Sequence, residues 1–198
     1  MRSLWGAFLV LLIVGQGVNA DSKDPNDPND PRELLQTKWD AVISVLQNKD
    51  IDQEAKERKI SKIVSPIFDF SLMAKLALGR KHWPKLTPPQ GEKFTELFTE
   101  RLKKSYREKI ALYKDEKIVL KPTVQKKNTV YIPTELIHKD KKVAILYKLR
   151  KADKRWKIYD VEIQGVSILL TYRSQFDEIL RRSTVEDLLS RLEKPPDD

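Results

Sequence analysis

The sequence predicts an α+β protein in which helices pack on one antiparallel sheet. Three observations lead to this fold class. Apolar residues recur at helical spacing as far as Tyr113, alternate between Ile118 and Ile163, and return to helical spacing after Gly165. Short turn-forming segments separate the alternating runs, which favours antiparallel hairpins over the long crossovers of a parallel sheet. The sequence shows no internal repeat, and we expect a single domain over residues 31–193.

The N-terminal residues have the layout of a secretory signal peptide. Arg2 provides a positive start, Leu4 to Val14 form an apolar run, and Val18 to Ala20 form a small-x-small cleavage site before Asp21. The apolar run is too short to span a bilayer comfortably, although an uncleaved anchor is the alternative interpretation. We therefore expect residues 1–20 to be removed on export and the mature protein to lie in the periplasm.

Composition narrows the chemistry of the mature chain. The 198-residue sequence contains no cysteine, which excludes thiol catalysis and cysteine-ligated metal sites. Its formal net charge of +9 becomes +8 when Arg2 is removed with the signal peptide. Nine Lys or Arg and two Asp lie between Lys139 and Lys157. Such a segment suits an anionic partner, but export makes nucleic acid a poor one, and the alternation alone favours a solvated outer face of the sheet.

Four helices are predicted before the sheet. Residues 21–30, DSKDPNDPND, hold no apolar residue, which is typical of a disordered linker. Capping residues such as Asp30 and Asp52 begin helices, and Gly79 is expected to end the third. Phe94, Phe98 and neighbouring apolar residues lie on the buried stripe of the fourth. The predicted helices cover residues 31 to about 48, 53 to about 64, 67–78, and 88 to about 113.

Four strands are predicted in the middle of the chain, where the hydrophobic period changes to two. Lys126-Lys127-Asn128 and two similar polar segments provide the turns. Pro133 inside the second strand predicts an edge strand or a bulge there, because proline donates no hydrogen bond to a neighbour. In the third strand, Ile145, Tyr147 and Leu149 share one face. The strands cover residues 118–124, 129–137, 142–151 and 155–163.

The segment from Trp156 to Leu180 is the most distinctive part of the sequence. A strand passes through Gly165 directly into an amphipathic helix, which we expect to start near Val166 and to end near Arg182. A final helix follows, capped by Ser183 or Thr184, and residues 194–198 form a tail.

Signals for catalysis or metal binding are weak. His82 and His138 lie in different elements, and neither has a His, Asp or Glu three or four residues further on. Asp69 and Asp160 lie within apolar runs and could form an acid pair. We instead expect Asp69 to cap a helix and Asp160 to pair with a cation such as Arg173. An anion-binding role for Arg173 is the alternative, since an arginine beside a buried stripe needs a partner.

Two sequence blocks resemble those of one known family. The first is IFDFSLMAKLALG followed by Trp83, and the second is WKIYDVEIQGVSILLTYRSQF. With the signal peptide, the Thr-Pro-Pro-Gln helix start, the basic meander and the terminal DLLSRL helix, this order resembles the MlaC family. Its members are periplasmic phospholipid-binding components of the Mla lipid-transport system. The resemblance covers nearly all of residues 31–193, and Ile118 to Leu149 match more in layout than in residues.

The resemblance implies a cone-shaped fold in which helices and a highly curved antiparallel sheet of about four strands enclose an apolar pocket. It implies that the pocket holds the acyl chains of a phospholipid, which is cargo rather than cofactor. The carrier would move lipid across the periplasm of a Gram-negative cell, between an outer-membrane lipoprotein complex and an inner-membrane ABC transporter complex. It would serve outer-membrane lipid asymmetry, acting as a monomer that docks transiently and needs no metal, cofactor or catalytic residue.

We expect the lipid site to draw side chains from the short third helix, the long helix, the sheet and the helix after Gly165. The expected lining residues are Phe70, Met73, Leu76, Phe98, Leu102, Tyr106, Val130, Ile132, Ile145, Tyr147, Val161, Val166, Leu169 and Tyr172. Two alternatives remain open. A periplasmic enzyme on a similar scaffold would need a solvent-accessible Asp69 or Asp160 facing inward. A basic adaptor would have a closed core and would bind an acidic partner through the Lys139–Lys157 segment.

Overall fold

The structure, a computed structural model, describes residues 30–110, 116–139 and 141–194, of which residues 106–110 are described by their backbone alone. The predicted signal peptide, most of the predicted linker and the end of the predicted tail lie outside the described residues. The fold class is confirmed, because helices pack against a single antiparallel sheet. Among the described residues, no helix is both long enough and apolar enough to cross a bilayer.

Six α-helices are described, and most of them begin at a side chain that accepts a hydrogen bond from the first turn. Asp30, Asp52 and Asp69 cap the first three in this way. Thr184 caps the last helix in a capping box with Asp187, which settles the choice between Ser183 and Thr184. The helices are α1 (Pro31–Gln47), α2 (Gln53–Val64), α3 (Phe70–His82), α4 (Pro88–Ile110), α5 (Ile168–Arg182) and α6 (Val185–Glu193).

The sheet is antiparallel throughout. Strand β3 pairs with β1, β2 and β4, then β4 pairs with β5 and β5 with β6. The order of neighbours follows from the short hairpin turns, as the sequence predicts. The strands are β1 (Lys117–Leu120), β2 (Val124–Lys126), β3 (Thr129–His138), β4 (Lys141–Ala152), β5 (Arg155–Ile163) and β6 (Val166–Ser167).

The first predicted strand, residues 118–124, is wrong as one element. The chain leaves the sheet after Leu120 and rejoins it at Val124, so two short strands stand beside β3. Pro133 does not lie on an edge strand, since β3 is an inner strand, but it does lie at an irregularity of the ladder, where three residues between β1 and β2 face two of β3. Its carbonyl accepts from the Lys121 amide at the gap between β1 and β2, so the missing N–H of Pro133 faces that gap.

Two helix starts are later than predicted. Ile67 is in a short 3-10 turn and Phe68 forms a parallel bridge with Ile158, so α3 begins only at Phe70. Gly79 does end the regular helix, because its φ of 79° is left-handed and only a short turn follows. Val166 belongs to the two-residue strand β6 and is exposed, which corrects its placement on the buried stripe of α5.

Candidate functional site

The apolar interior is divided into two clusters. The helix cluster is built on α3, α4, α5 and α6, and the sheet cluster on α1 and the inner face of the sheet. Phe68 packs against both clusters and stacks on Phe70, with ring centroids 5.6 Å apart. Ile168 and Leu169, neighbours in the chain, pack into different clusters. A seam at Phe68 and Ile168 therefore joins the helix layer to the sheet.

Aromatic rings fill the helix cluster. Phe94 and Phe98 stack one turn apart on α4, and Phe176 of α5 meets both edge-on. Tyr172 meets the Phe98 ring edge-on at 5.1 Å and is only half-buried. This packing fixes α5 against α4 and leaves Tyr172 at the margin of the cluster.

The sheet cluster consists of rows of residues that lie opposite one another across the strands and therefore share a face. One row is Val130, Leu149 and Ile158, and every member of it is buried. The row at the far end reads Leu120, Thr134, Ile145, Ile163 and Val166. Along it, the exposed fraction rises from 7% at Leu120 to 44% at Ile163 and 61% at Val166. The inner face of the sheet is thus closed at the β4–β5 turn and open toward β6.

The predicted lipid-binding residues fall on both sides of the seam. Val166 lies outside both clusters, and the side chain of Tyr106 lies outside the described residues. In or against the helix cluster are Phe70, Met73, Leu76, Phe98, Leu102, Leu169 and Tyr172. In or against the sheet cluster are Val130, Ile132, Ile145, Tyr147 and Val161.

Two grooves open on the described surface, and neither is lined by a predicted lipid-binding residue. One, of about 800 Å³, lies between α1 and β1 and includes Trp39 and Ile118. The other, of about 620 Å³, lies where Trp83 and Leu86 meet the start of α4. The apolar pocket between the two clusters therefore stays a prediction.

Asp69 connects α3 to the sheet. Its carboxylate accepts from the Leu72 amide at 3.0 Å, which confirms the predicted cap. It also accepts two hydrogen bonds from the Arg150 guanidinium, at 3.0 and 2.6 Å. The Asp69 amide in turn donates to the Ile158 carbonyl on β5. These bonds hold the seam residues Phe68 and Phe70 in place.

Asp160 is buried and pairs with a cation, as predicted, but that cation is Lys148 rather than Arg173. Lys148 bonds to Asp160 at 3.1 Å and also to Glu162. Burial lowers the pKa of Lys148, but hydrogen bonds to Glu162 and Asp160 outweigh burial and raise it above its ordinary value. Ser167, the N-cap of α5, donates to both Asp160 oxygens at 2.9 and 3.0 Å. This group ties β4 and β5 to the start of α5.

Arg173 bonds to backbone rather than to Asp160. Its Nε donates to the Leu76 carbonyl at 2.8 Å, near the end of α3. A Cβ placed on Gly79 would lie 3.3 Å from that same Nε, so the glycine leaves room for the guanidinium. The prediction that Arg173 pairs with Asp160 is therefore wrong, while its position beside a buried stripe holds.

His82 pairs with Asp177 of α5 at 2.8 Å, and Lys81 bonds to the same oxygen at 2.9 Å. Hydrogen bonds from Lys81 first and then from His82 lower the pKa of Asp177 to about 2. The group links the end of α3 to α5. Within the described residues, no three His, Asp or Glu side chains gather as a metal site would require.

Sequence reasoning missed the residues at the seam and the true partner of Asp160. Phe68 was assigned to a helix, although it bridges the two clusters. The spacing of three between the buried residues Ile158 and Val161 was an available signal for a bulge, because a regular strand would bury alternate residues. That bulge places Asp160 opposite Lys148.

The chain is similar to known proteins in both sequence and structure. The sequence profile of the family described as MlaC protein matches residues 36–194. A solved structure, the phospholipid-binding protein from Ralstonia solanacearum in complex with a phospholipid, superposes with a TM-score of 0.74. The two chains are 23% identical, and the match covers 83% of this chain and 95% of that chain. The likeness in fold extends over nearly the whole of that protein.

Proposed function

Because the chain belongs to the MlaC family, we propose that it is a phospholipid-binding carrier whose acyl-chain site lies between the helix cluster and the sheet cluster. The observation that carries the proposal is the fold match to a protein that holds a phospholipid. Half-buried residues at the seam support it, among them Phe68, Phe70, Tyr172 and Ile168. Each methylene transferred from water to such surroundings contributes about 0.8 kcal/mol, so two acyl chains supply ample affinity.

The transport role that we propose is the one expected for a member of this family. The carrier moves phospholipid between an outer-membrane lipoprotein complex and an inner-membrane ABC transporter complex, docking on each in turn as a monomer. It works in the periplasm after a signal peptide of residues 1–20 is removed. The phospholipid is its cargo, and no cofactor or nucleic acid takes part. The predicted lining residues in the two clusters, with Tyr106 and Val166, are the proposed lipid-binding set.

The described carboxylates favour a carrier over an enzyme. An enzyme on this scaffold would need Asp69 or Asp160 to face inward with solvent access. Both side chains instead form ion pairs with cations of β4 and accept hydrogen bonds from residues at the starts of helices. Their side chains are only 12% and 8% exposed. A structural role therefore explains why Asp69 and Asp160 are buried and paired.

The basic adaptor has less support than the carrier, because the basic segment does not form a single surface. Strand β4 has 12 residues and spans ~37 Å, with Lys141 at one end and Lys151 near the other. Lys148, between them, is engaged by two acids. A single acidic partner would have to span the whole sheet to meet all of these cations.

Uptake of phospholipid from vesicles by site-filling variants tests the proposal. Leu102→Trp and Ile145→Trp each add bulk at a half-buried position against a different cluster. We expect both variants to take up several-fold less lipid per protein than the wild type, measured by mass spectrometry of extracted lipid. Val124→Trp, at an exposed position on β2, is the matched control and should take up as much as the wild type.

Thermal unfolding of each variant shows whether a loss of lipid uptake comes from a filled acyl-chain site or from a misfolded protein. If a tryptophan variant unfolds, Leu102→Phe and Ile145→Phe add less bulk at the same positions. Uptake equal to that of the wild type in folded, filled variants would contradict the proposed site. No uptake by the wild type would contradict the carrier itself.

A further inference from the structure

The β5–β6 hairpin exposes aliphatic side chains where the inner face of the sheet opens. Ile163 and Val166 are directly paired across the hairpin and are 44% and 61% exposed. Leu170 follows in the first turn of α5 and is 54% exposed. Single exposed aliphatic residues are ordinary, but three within eight residues of the chain, at the open end of an apolar row, form a patch.

Lysines lie at the same end of the sheet as this patch. The Gln164 amide donates to the Ala144 carbonyl at 2.8 Å, which binds the hairpin to the beginning of β4. Lys141 begins β4 and shares a face with Ile145, and Lys139 precedes it in the turn. Both lysines are exposed, and neither forms an ion pair with a residue that the structure describes. We call Ile163, Val166, Leu170, Lys139 and Lys141 the hairpin rim.

The carboxylates closest to this place are already paired. Glu135, opposite Ala144 on β3, is bound to Lys121. The sequence has no Asp or Glu from Ile163 to Phe176, and Glu162 just before this stretch is bound to Lys148. Residues 139–142 carry three lysines and one aspartate, a net charge of +2. The hairpin rim therefore combines an apolar tip with an excess of positive charge.

We infer that the hairpin rim docks on the surface of an anionic phospholipid bilayer. Aliphatic side chains enter the boundary between headgroups and acyl chains, and lysines beside them attract anionic headgroups. A protein partner fits less well, because its binding sites centre on Trp, Tyr and Arg and are depleted in lysine. The inference goes beyond lipid binding, since it places the open end of the sheet face against the membrane.

Flotation of the exported, purified protein with lipid vesicles tests this docking. One set of vesicles is phosphatidylcholine alone, and the other contains phosphatidylglycerol as well. We expect binding to the anionic vesicles that weakens as salt is added, because the headgroup attraction is screened. Ile163→Ser with Leu170→Ser, neither of them in the proposed lipid-binding set, should weaken it by about tenfold or more. Lys139→Gln with Lys141→Gln should weaken it by on the order of tenfold and remove the preference for phosphatidylglycerol.

Matched controls lie on other surfaces. Val124→Ser removes from β2 a valine that is 46% exposed, close to the 44% of Ile163. Lys154→Gln with Arg155→Gln removes two exposed cations from the opposite end of the sheet. Both should bind like the wild type. Lipid bound per protein, measured in the same samples, reports separately on the carrier function, so the two ideas can fail independently.

Equal binding by the rim variants and the controls would overturn the docking proposal. The proposal would also be overturned if the wild type bound neither kind of vesicle. That result would indicate that the hairpin rim contacts a protein partner instead. Sedimentation of the wild type as a dimer that Ile163→Ser with Leu170→Ser dissociates would also overturn the docking proposal, in favour of a second copy of the chain.

Discussion

Asp160 shows how one buried side chain organises several elements. It lies on β5 and meets Lys148 of β4, the Ser167 hydroxyl and the start of α5. A carboxylate buried to this degree is stable only when cations and hydrogen-bond donors surround it. Glu162 shares Lys148 but is more exposed, with 22% of its side chain accessible. Asp160 therefore makes the contacts that connect β4, β5 and α5, whereas Glu162 only adds a second, more exposed partner for Lys148.

Replacing Asp160 should separate these roles. Asp160→Asn leaves a buried lysine with one carboxylate and should lower the free energy of unfolding by about 3 kcal/mol. Glu162→Gln leaves the Lys148–Asp160 pair intact and should cost less than about 1 kcal/mol. Urea denaturation measures the free energy of unfolding of both variants. Equal losses would show that Asp160 stabilises the fold no more than Glu162 does.

Asp177 gives a dependence of stability on pH. Its pKa is lowered from 3.8 to about 2 in the folded protein, first by Lys81 and then by His82. A lowered folded-state pKa stabilises the fold above pH 4 and ceases to do so as pH falls to 2. The Tm difference between wild type and Asp177→Asn should therefore be fully present at pH 4 and shrink toward zero near pH 2.

A neighbouring acid provides the comparison for Asp177. Glu178 pairs with Arg181 and Arg182 of its own helix, so Glu178→Gln leaves the contact between α3 and α5 untouched. Its Tm should follow that of the wild type across the acid range. A pH-independent difference for Asp177→Asn would mean that the ion pair contributes nothing to the fold.

At the scale of elements, α3 is fixed at both ends. Asp69 and Arg150 hold its beginning, and Arg173 of α5 bonds to the Leu76 carbonyl near its end. Gly79 permits this second contact, because its left-handed φ turns the chain and its missing Cβ admits the guanidinium. The position of α3 decides where Phe68 and Phe70 stand at the seam.

The two left-handed glycines allow a matched test of that contact. Gly165 has nearly the same φ, 78° against 79°, but nothing lies within 4 Å of a Cβ placed there. Gly165→Ala should therefore cost about 1 kcal/mol from backbone strain alone. Gly79→Ala should cost clearly more, since its ψ of 168° lies in a region open almost only to glycine and the Arg173 guanidinium must also move. Equal losses of unfolding free energy would show that neither the backbone at Gly79 nor Arg173 constrains this position.

Local chemistry explains which elements were predictable. Caps at Asp52 and Asp69 and the break at Gly79 depend on neighbouring residues, and they are confirmed. The partner of Asp160 depends on strand register. The Asp153–Lys154 turn alone would place Lys148 opposite Tyr159, and only the bulge after Leu149 places it opposite Asp160.

The candidate site was predictable only in part for a similar reason. Period-two alternation correctly placed Ile145, Tyr147 and Leu149 on one face of the third predicted strand. It could not reveal that Val166 pairs with Ile163 in a two-residue strand, because that pairing depends on tertiary contacts. The seam at Phe68 likewise arises where two elements distant in sequence meet.

At the scale of the whole molecule, the sheet face is closed at one end and open at the other. Buried rows near the β4–β5 turn give way to exposed residues at β6. A phospholipid has the same polarity, with acyl chains for a closed apolar end and a headgroup for an open one. The proposed carrier therefore matches its cargo through the direction in which its inner face opens.

Export is a separate prediction at this scale. The intact mass of protein recovered from the periplasm should correspond to a chain beginning at Asp21. Ala20→Arg should block cleavage, because the site requires a small residue, and should leave the precursor mass. Recovery of wild-type precursor alone would support the anchored alternative.

Native mass spectrometry of the exported protein tests the central claim most directly. We predict that a substantial fraction of the protein carries a mass increment equal to one or more phospholipids, which collisional activation releases and organic extraction identifies. A spectrum that contains only the unliganded protein, both as purified and after incubation with phospholipid vesicles, would contradict the account.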